Sequence, residues 1–293
     1  MPLKNSKQLL ENTFRKDLLL LSLQLLPIIY IGTIMSVIFH EIVGHGLSCS
    51  LLGGTFDGFG ILIDGMGYAM INSLNLSIPS VIIVLLGGII VTTILAIVFF
   101  ILSHRFRNNN LLSLTFLILA FTAFMDSIPY FFFDAIYIGG IGDYALIYSM
   151  VPSETTRYLV ITLLGILMIG GIILFNSIFI KYSTHVLSRN KQISRKNQLS
   201  LFIYAFILQL IGWISFDWNQ LIPGIGLIPV ILGVLVTIVV LAGLFIKKNN
   251  VERSDDVQKE DKLAWKRFII ISWGVCFVLI ATIIFWLQFG VIF

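Results

Sequence analysis

Long apolar stretches dominate the chain, and short polar segments separate them. A helix needs about 20 apolar residues to cross the hydrocarbon core of a bilayer. The pattern predicts an all-α polytopic membrane protein with about seven transmembrane helices. These spans fall at about residues 18–52, 77–103, 111–134, 157–180, 199–217, 221–246 and 267–292.

The first apolar stretch is too long for one untilted crossing. Pro27 lies within it, and proline breaks or kinks a helix. We therefore expect residues 1–26 to form an N-terminal cytoplasmic or interfacial segment, followed by a span from Pro27 to Leu52. That placement centres His40 near the middle of the membrane.

The segment after this first span has a different pattern. Residues 55–68 read TFDGFGILIDGMGY, which is rich in glycine, alternates partly and is too short to cross a bilayer. Such a pattern predicts short strands or a hairpin. Irregular backbone at membrane depth is tolerated only against protein or a wet cavity. We therefore expect a small membrane-associated β-hairpin beside the first core helix.

Composition and charge support the membrane assignment. The 293 residues are 58% hydrophobic and 12% charged, and the mean hydropathy is +0.99, whereas soluble domains carry roughly 25% charged residues. The lipid bilayer is therefore the expected surroundings of most of the chain. The net charge of +4 does not indicate a nucleic-acid partner, because the basic residues are confined to a few connecting segments.

The basic residues also predict an orientation. With seven crossings, every Lys and Arg except Arg157 falls on the same side as the N-terminus. Basic loops favour the cytoplasmic side. We therefore expect an integral membrane protein of the cell membrane, with its N-terminus in the cytoplasm and its C-terminus outside.

One cluster of ionisable residues interrupts the first apolar span. Residues 40–45 read His-Glu-Ile-Val-Gly-His. Ionisable groups at bilayer depth are costly and mark functional sites. The cluster is close to HExxH, in which two histidines hold zinc and the glutamate acts as a general base. The alternative is structural, with Glu41 forming ion pairs to His40 and His45.

The spacing of the two histidines has one residue too many for a regular helix. An offset of five residues leaves His40 and His45 about 140° apart around an α-helix. A π-bulge absorbs one extra residue and often marks a functional site, and Gly44 and Gly46 lower the cost of the distortion. A zinc site here therefore predicts a local bulge near Gly44.

A catalytic zinc site also needs a third protein ligand. Two aspartates fall on the same side of the bilayer as the C-terminal end of the histidine-bearing span. Asp134 ends the third span, and Asp143 follows Gly142 in the next connection. The sequence leaves both open, and either could be an ordinary residue at the membrane interface.

At this point the chain resembles the site-2 protease family of intramembrane zinc metalloproteases. Residues 40–45 are similar to the family's HExGH motif with one residue inserted, and residues 86–89, Leu-Gly-Gly-Ile, to its glycine-rich motif. Residues 126–135 resemble NxxPxxxLDG, with Asp126, Phe133 and Ala135 as departures. The resemblance covers about residues 27–145.

The resemblance implies an organisation and a reaction. Residues 27–156 would form a metalloprotease-like core of three spans with the hairpin, and residues 157–293 four additional transmembrane helices. The protein would be a membrane-embedded zinc endopeptidase, a hydrolase that cleaves transmembrane or membrane-proximal segments of a protein or peptide substrate. A locally unwound substrate could add to an edge strand within residues 55–70.

It also implies roles for single residues. Zn²⁺ would be bound by His40, His45 and an aspartate; the family's LDG aspartate maps to Asp134, and Asp143 competes with it. Glu41 would be the general base. Asp126 would orient substrate or a group behind the metal ligands, the role implied by the family's asparagine.

Two non-proteolytic functions stay open from the sequence. The protein could be a pseudoprotease that binds membrane substrates, because the inserted residue could abolish zinc binding. It could also be a metal-binding transporter. Transporters commonly show related halves, and residues 157–293 contain no counterpart of the histidine motif.

Overall fold

The structure is a computed structural model that describes residues 25–62, 66–136, 142–187, 256–285 and 291–292. Helices and a small sheet follow one another along the chain. They are α1 (Leu25–Leu51), β1 (Thr55–Ile61), β2 (Gly67–Asn72), α2 (Ile78–Arg105), α3 (Asn110–Met125), α4 (Ile128–Ile136), α5 (Asp143–Met150), α6 (Glu154–Leu187), α7 (Asp256–Phe285) and β3 (Val291–Ile292).

Within the described part of the chain, five helical segments are long and apolar enough to cross a membrane. They are Leu25–Leu51, Ile78–Arg105, Leu111–Ile136, Glu154–Phe179 and Arg267–Ile284. These agree with five of the seven predicted spans. The predicted spans at 199–217 and 221–246, and nearly all of the predicted segment 1–26, lie outside the described residues.

The first helix changes its winding where the histidine motif lies. It is α-helical before the motif, π-helical over Phe39–Leu47, and α-helical again over Ser48–Leu51. The predicted bulge near Gly44 is therefore confirmed, and it extends over nine residues.

Helices α2 and α3 form an antiparallel pair beside α1. At the turn between them, the Ser103 hydroxyl donates to the Ser113 carbonyl and the Ser113 hydroxyl to the Ser103 carbonyl, both at 2.8 Å. At the C-terminal end of α3, the Thr92 hydroxyl donates to the Gly88 carbonyl of its own helix at 3.0 Å and lies 3.3 Å from the carbonyl of Asp126. These contacts satisfy hydroxyl groups that would be costly to bury unpaired, and they show that Asp126 lies beside the middle of α2.

The main apolar core lies among the start of α1, α2, α3 and α6. Buried residues such as Leu114, Leu117, Phe124 and Phe175 form it. Large side chains on the outer faces of α2, α6 and α7 are exposed, for example Ile97, Leu159 and Ile270. Exposure of this kind is expected where the surrounding solvent is lipid.

The predicted hairpin is confirmed and packs on α1. Strands β1 and β2 pair antiparallel from Thr55 with Asn72 to Ile61 with Gly67, with an irregularity between Phe56 and Gly58. Strand β3 pairs antiparallel with the opposite edge of β1, which gives the order β2-β1-β3. Residues Phe59 and Ile61 pack against Ile34 and Val37 of α1. The sheet is therefore held beside the histidine motif.

Candidate metal centre

The π-helical winding brings the two motif histidines together. Residues five apart are about one turn apart in a π-helix, because its hydrogen bonds run from i to i+5. The ring centroids of His40 and His45 lie 4.8 Å apart, and both side chains are buried. The two rings therefore share one face despite the extra residue.

A close contact between glycines explains how the site is enclosed. A Cβ built on Gly44 would lie 2.5 Å from the Cα of Gly88, and one built on Gly88 would overlap the His40 ring. One built on Gly87 would collide with the Gly44 backbone. The glycine-rich stretch of α2 therefore lets the backbones of α1 and α2 approach, and it leaves room for the imidazole of His40.

Asp143 faces both histidines. Its Oδ2 lies 3.2 Å from His40 Nε2, and its Oδ1 lies 3.4 Å from His45 Nε2. Burial alone would raise the pKa of Asp143, but hydrogen bonding and charge attraction from the two histidines outweigh burial and hold this pKa below its usual range. The first residue of α5 therefore presents a carboxylate to the ring nitrogens of α1.

Asp134, the competing candidate, makes other contacts. Its Oδ2 accepts the backbone N–H groups of Tyr144 at 2.6 Å and Ala145 at 3.2 Å. A carboxylate commonly satisfies N–H groups in the first turn of a helix in this way. Asp134 therefore holds the start of α5, the helix on which Asp143 lies, and a Cβ on Gly142 would collide with it.

Glu41 lies beside the histidines and against the sheet. Possible ligand atoms of His40, Glu41 and His45 all lie within 4.8 Å of one another. A Cβ built on Gly67, the first residue of β2, would lie 2.9 Å from Glu41 Oε1. Glycine at this position therefore leaves space for the Glu41 carboxylate.

The second ring nitrogen of each histidine has a different neighbour. His45 Nδ1 lies 2.9 Å from the carbonyl oxygen of Val84. A carbonyl can only accept, so Nδ1 carries a proton and donates it to Val84, and Nε2 is the nitrogen that faces Asp143. His40 Nδ1 has no hydrogen-bond partner among the described residues. It lies 3.8 Å from Asp126 Oδ2.

Asp126 lies between α3 and α4 and is held by α1. Its Oδ2 accepts a hydrogen bond from the Ser36 hydroxyl at 2.7 Å, and both side chains are buried. Tyr130 completes this side of the site. Its ring is edge-on to His40 at 5.7 Å, and its hydroxyl accepts the N–H of Asp143 at 3.4 Å.

All the residues predicted from the sequence are thus placed, but four features are additional. Ser36, Gly67, Tyr130 and the Val84 carbonyl all contact predicted site residues. Ser36 carries one sequence signal, because it precedes His40 by four residues, a spacing that places two side chains on one face of an α-helix. The others depend on contacts between elements distant in sequence.

The donor set suits zinc. Four ligands at zinc–nitrogen and zinc–oxygen distances of about 2.0–2.2 Å stand about 3.3–3.6 Å from one another at tetrahedral corners. His40 Nε2 lies 3.2 Å from Asp143 Oδ2 and His45 Nε2 lies 3.4 Å from Asp143 Oδ1, so the carboxylate is close enough to share one metal ion with both rings. Two imidazoles and one carboxylate are also a common set for catalytic zinc.

A buried pair of histidines, a facing carboxylate and an adjacent glutamate form a candidate metal centre among helices that are apolar enough to cross a membrane. The chain matches the family model described as Peptidase M50B-like over residues 18–191, more than half of its length, and it belongs to that family. This membership agrees with the resemblance to site-2 proteases. No curated protein and no solved structure matched the chain.

Proposed function

We propose that the protein is an intramembrane zinc-dependent endopeptidase that cleaves transmembrane or membrane-proximal peptide segments. The single observation that carries the proposal is the convergence of His40 Nε2 and His45 Nε2 on Asp143, with Glu41 beside them, in a member of a peptidase family. The extra residue in the motif does not oppose it, because the π-helix absorbs that residue.

We assign zinc to the space between three side chains. His40 and His45 would each provide Nε2, and Asp143 would provide the third ligand, because Asp134 is engaged with the backbone of α5. When bound, zinc supplies Lewis acidity that polarises the scissile carbonyl and lowers the pKa of a water.

Glu41 is the proposed general base. It is buried beside both histidines, within reach of a water that the site would hold. Its carboxylate accepts a proton from the attacking water and then donates that proton to the amine of the leaving peptide. Atoms balance without another reactant, because one water is consumed for each peptide bond broken.

The sheet offers a place for an extended substrate. Strand β3 covers part of one edge of β1, and β2 is an edge strand within the described residues. A peptide that adds to a sheet edge lies about 4.8 Å from it and gains main-chain hydrogen bonds. Gly67 of β2 lies against Glu41, so a peptide bound there would be close to the catalytic carboxylate.

We also propose that the protein lies in the cell membrane with its N-terminus in the cytoplasm. The distribution of Lys and Arg supports this orientation. It puts the turn containing Asn109 inside and Ser153 outside. Cysteines introduced one at a time at these positions in intact cells should therefore react with an impermeant reagent only at position 153, and the reverse pattern would overturn the orientation.

The first test of the function combines metal analysis with a cleavage assay. The purified protein in detergent is offered zinc and a transmembrane peptide of about 25 residues with a central glycine-proline pair. We expect about one zinc per chain, and we expect Glu41→Gln to keep zinc but to lose cleavage by about 10²- to 10⁴-fold. Glu154→Gln, a change at an exposed carboxylate, is the matched control and should cleave normally.

Two outcomes would contradict this proposal. A chain that takes up no zinc under metal-replete conditions is not a zinc enzyme, and a transporter or a metal-free pseudoprotease then fits better. A chain that binds zinc but cleaves equally well with Gln at position 41 does not use Glu41 as its base.

The third ligand has a test of its own. We expect Asp143→Ala to reduce zinc content to background. Asp134→Ala should keep zinc, and it should cost about 1 kcal/mol of stability through the lost helix cap. Zinc content and thermal unfolding of both variants are measured. Loss of zinc in Asp134→Ala alone would show that the assignment to Asp143 is wrong.

A further inference from the structure

The two histidines differ on the side that faces away from Asp143. Histidines that bind metals almost always donate their second ring N–H to a carbonyl or a carboxylate, which fixes the tautomer and raises the basicity of the ligand. His45 has such a partner in the Val84 carbonyl. His40 Nδ1 is buried, and it lacks a hydrogen-bond partner among the described residues.

Asp126 presents a carboxylate oxygen to His40 Nδ1 just beyond hydrogen-bonding distance. The separation from Oδ2 is 3.8 Å, so a shift of about 0.6 Å would bring the pair within hydrogen-bonding distance. Asp126 is itself confined. The Ser36 hydroxyl donates to the same Oδ2, and the Thr92 hydroxyl lies 3.3 Å from the Asp126 carbonyl.

We propose that Ser36 and Asp126 form a positioning pair for His40: Ser36 orients the Asp126 carboxylate, and Asp126 orients the imidazole through Nδ1. This inference rests on the proposed zinc site and adds a role for Ser36. It also gives Asp126 a partner other than the substrate.

The geometry of α1 explains how Ser36 can orient the Asp126 carboxylate beside His40. Ser36 precedes the π-helical segment and lies four residues before His40, so both side chains leave α1 on one face and meet Asp126 together. A carboxylate at position 126, in place of the family's asparagine, provides two acceptor oxygens and a charge. Each carboxylate oxygen has two lone pairs, so Oδ2 can accept a hydrogen bond from Ser36 and still face His40 Nδ1.

The test measures metal affinity rather than activity alone. Zinc dissociation constants are determined by chelator competition for the parent, Ser36→Ala, Asp126→Ala and Asp126→Asn. Each protein is also loaded with Co²⁺, whose visible absorption reports ligand geometry. Thr33→Val is the matched control, because the Thr33 hydroxyl donates within its own helix, to the Ile29 carbonyl.

We expect Asp126→Ala to weaken zinc binding by about 10- to 100-fold, the range for partners of metal-bound histidines. Ser36→Ala should weaken it less and should alter the Co²⁺ spectrum. Asp126→Asn should restore part of the affinity, because an amide oxygen still accepts from Nδ1. Thr33→Val should match the parent in both measurements.

Each outcome bears on the inference. Parental affinity and an unchanged Co²⁺ spectrum in both Ser36→Ala and Asp126→Asn would overturn it while leaving the zinc site intact. If the parent itself binds no zinc, the proposed function fails and this inference fails with it. Should Asp126→Ala not fold, the two milder variants decide the question.

Discussion

Helices α1 and α6 are both long and apolar, yet they differ greatly in how much of each is buried. About 44% of the apolar window of α1 is buried, against 11% for α6. Helix α1 buries Ser36, His40, Glu41 and His45, whereas α6 exposes large apolar side chains such as Ile166. The mean hydropathy is 1.8 for the window of α1 and 2.6 for that of α6, and both values suit a membrane span. The polar site residues lower the value for α1, and the elements packed around them account for its greater burial.

The glycines of α1 and α6 also differ in their surroundings. Gly44 in α1 contacts the backbone of Gly88 in α2, whereas a Cβ on Gly170 in α6 would meet no described atom within 4 Å. Glycine is therefore required in α1 and its partner for close approach, and it is replaceable at this position of α6. Adding a methyl group at these positions should therefore affect the protein very differently.

The largest effect is expected from Gly88→Ala. The new methyl group would occupy the space of the His40 imidazole, so either the ring or the α1–α2 contact must move. Overpacking of this kind typically costs about 1–3 kcal/mol. We expect zinc content near background and a loss of cleavage of at least about 100-fold, because a misplacement of 1 Å can reduce rate by that factor.

The control for this change is Gly170→Ala, which should retain zinc and cleavage and should be as stable as the parent or slightly more so. Both proteins are compared by zinc content, peptide cleavage and thermal unfolding. If Gly88→Ala binds zinc as the parent does, the close approach of α2 is not needed for the site.

A smaller effect is expected from Gly67→Ala. Its methyl group would lie against Glu41 and Val37 and should displace the carboxylate, but the histidines and Asp143 are untouched. We expect zinc content to be kept and kcat to fall by about 10- to 100-fold, as misplacement of a reacting group predicts. Gly274→Ala in α7, where a Cβ meets no described atom within 4 Å, is the control.

Equal loss of zinc and of cleavage in Gly67→Ala would contradict this expectation. It would mean that β2 supports the metal ligands rather than Glu41 alone. Measuring zinc content on the same sample as kcat separates the two results.

The sequence predicts much of this arrangement because its strongest signals are local. Apolar length predicts the described spans, and the five-residue spacing of His40 and His45 requires a bulge in any helix that brings them together. The hairpin follows from glycine content and from its shortness. These features depend on residues close together in the chain.

The remaining features depend on contacts between distant elements. The sequence leaves both Asp134 and Asp143 open as the third ligand. The structure distinguishes them, because Asp143 faces both histidines whereas Asp134 accepts from the backbone of α5. The contact with the Val84 carbonyl could not be predicted from the sequence, because every residue has a backbone carbonyl. Strand β3 pairs with β1 from more than 200 residues away, a separation at which local patterns carry no information.

The smallest loss of function among these changes is expected from deletion of Val43. A π-bulge amounts to a residue inserted into an α-helix, so removing one residue should let the segment return toward regular α-helix. The histidines would then be four residues apart and would still share a face. We expect the variant to bind zinc within about tenfold of the parent, which is at most about 1.4 kcal/mol.

Deletion of Met35 in the α-helical part of the same helix is the matched control. No insertion is absorbed there, so the deletion rotates the preceding residues by about 100° and removes buried Ile34 from its packing. We expect that protein to unfold at a clearly lower temperature, whereas deletion of Val43 should preserve most of the stability. If the Val43 deletion folds but binds no zinc, the neighbouring helices require the π-helical form, and the extra residue is then an essential part of this site.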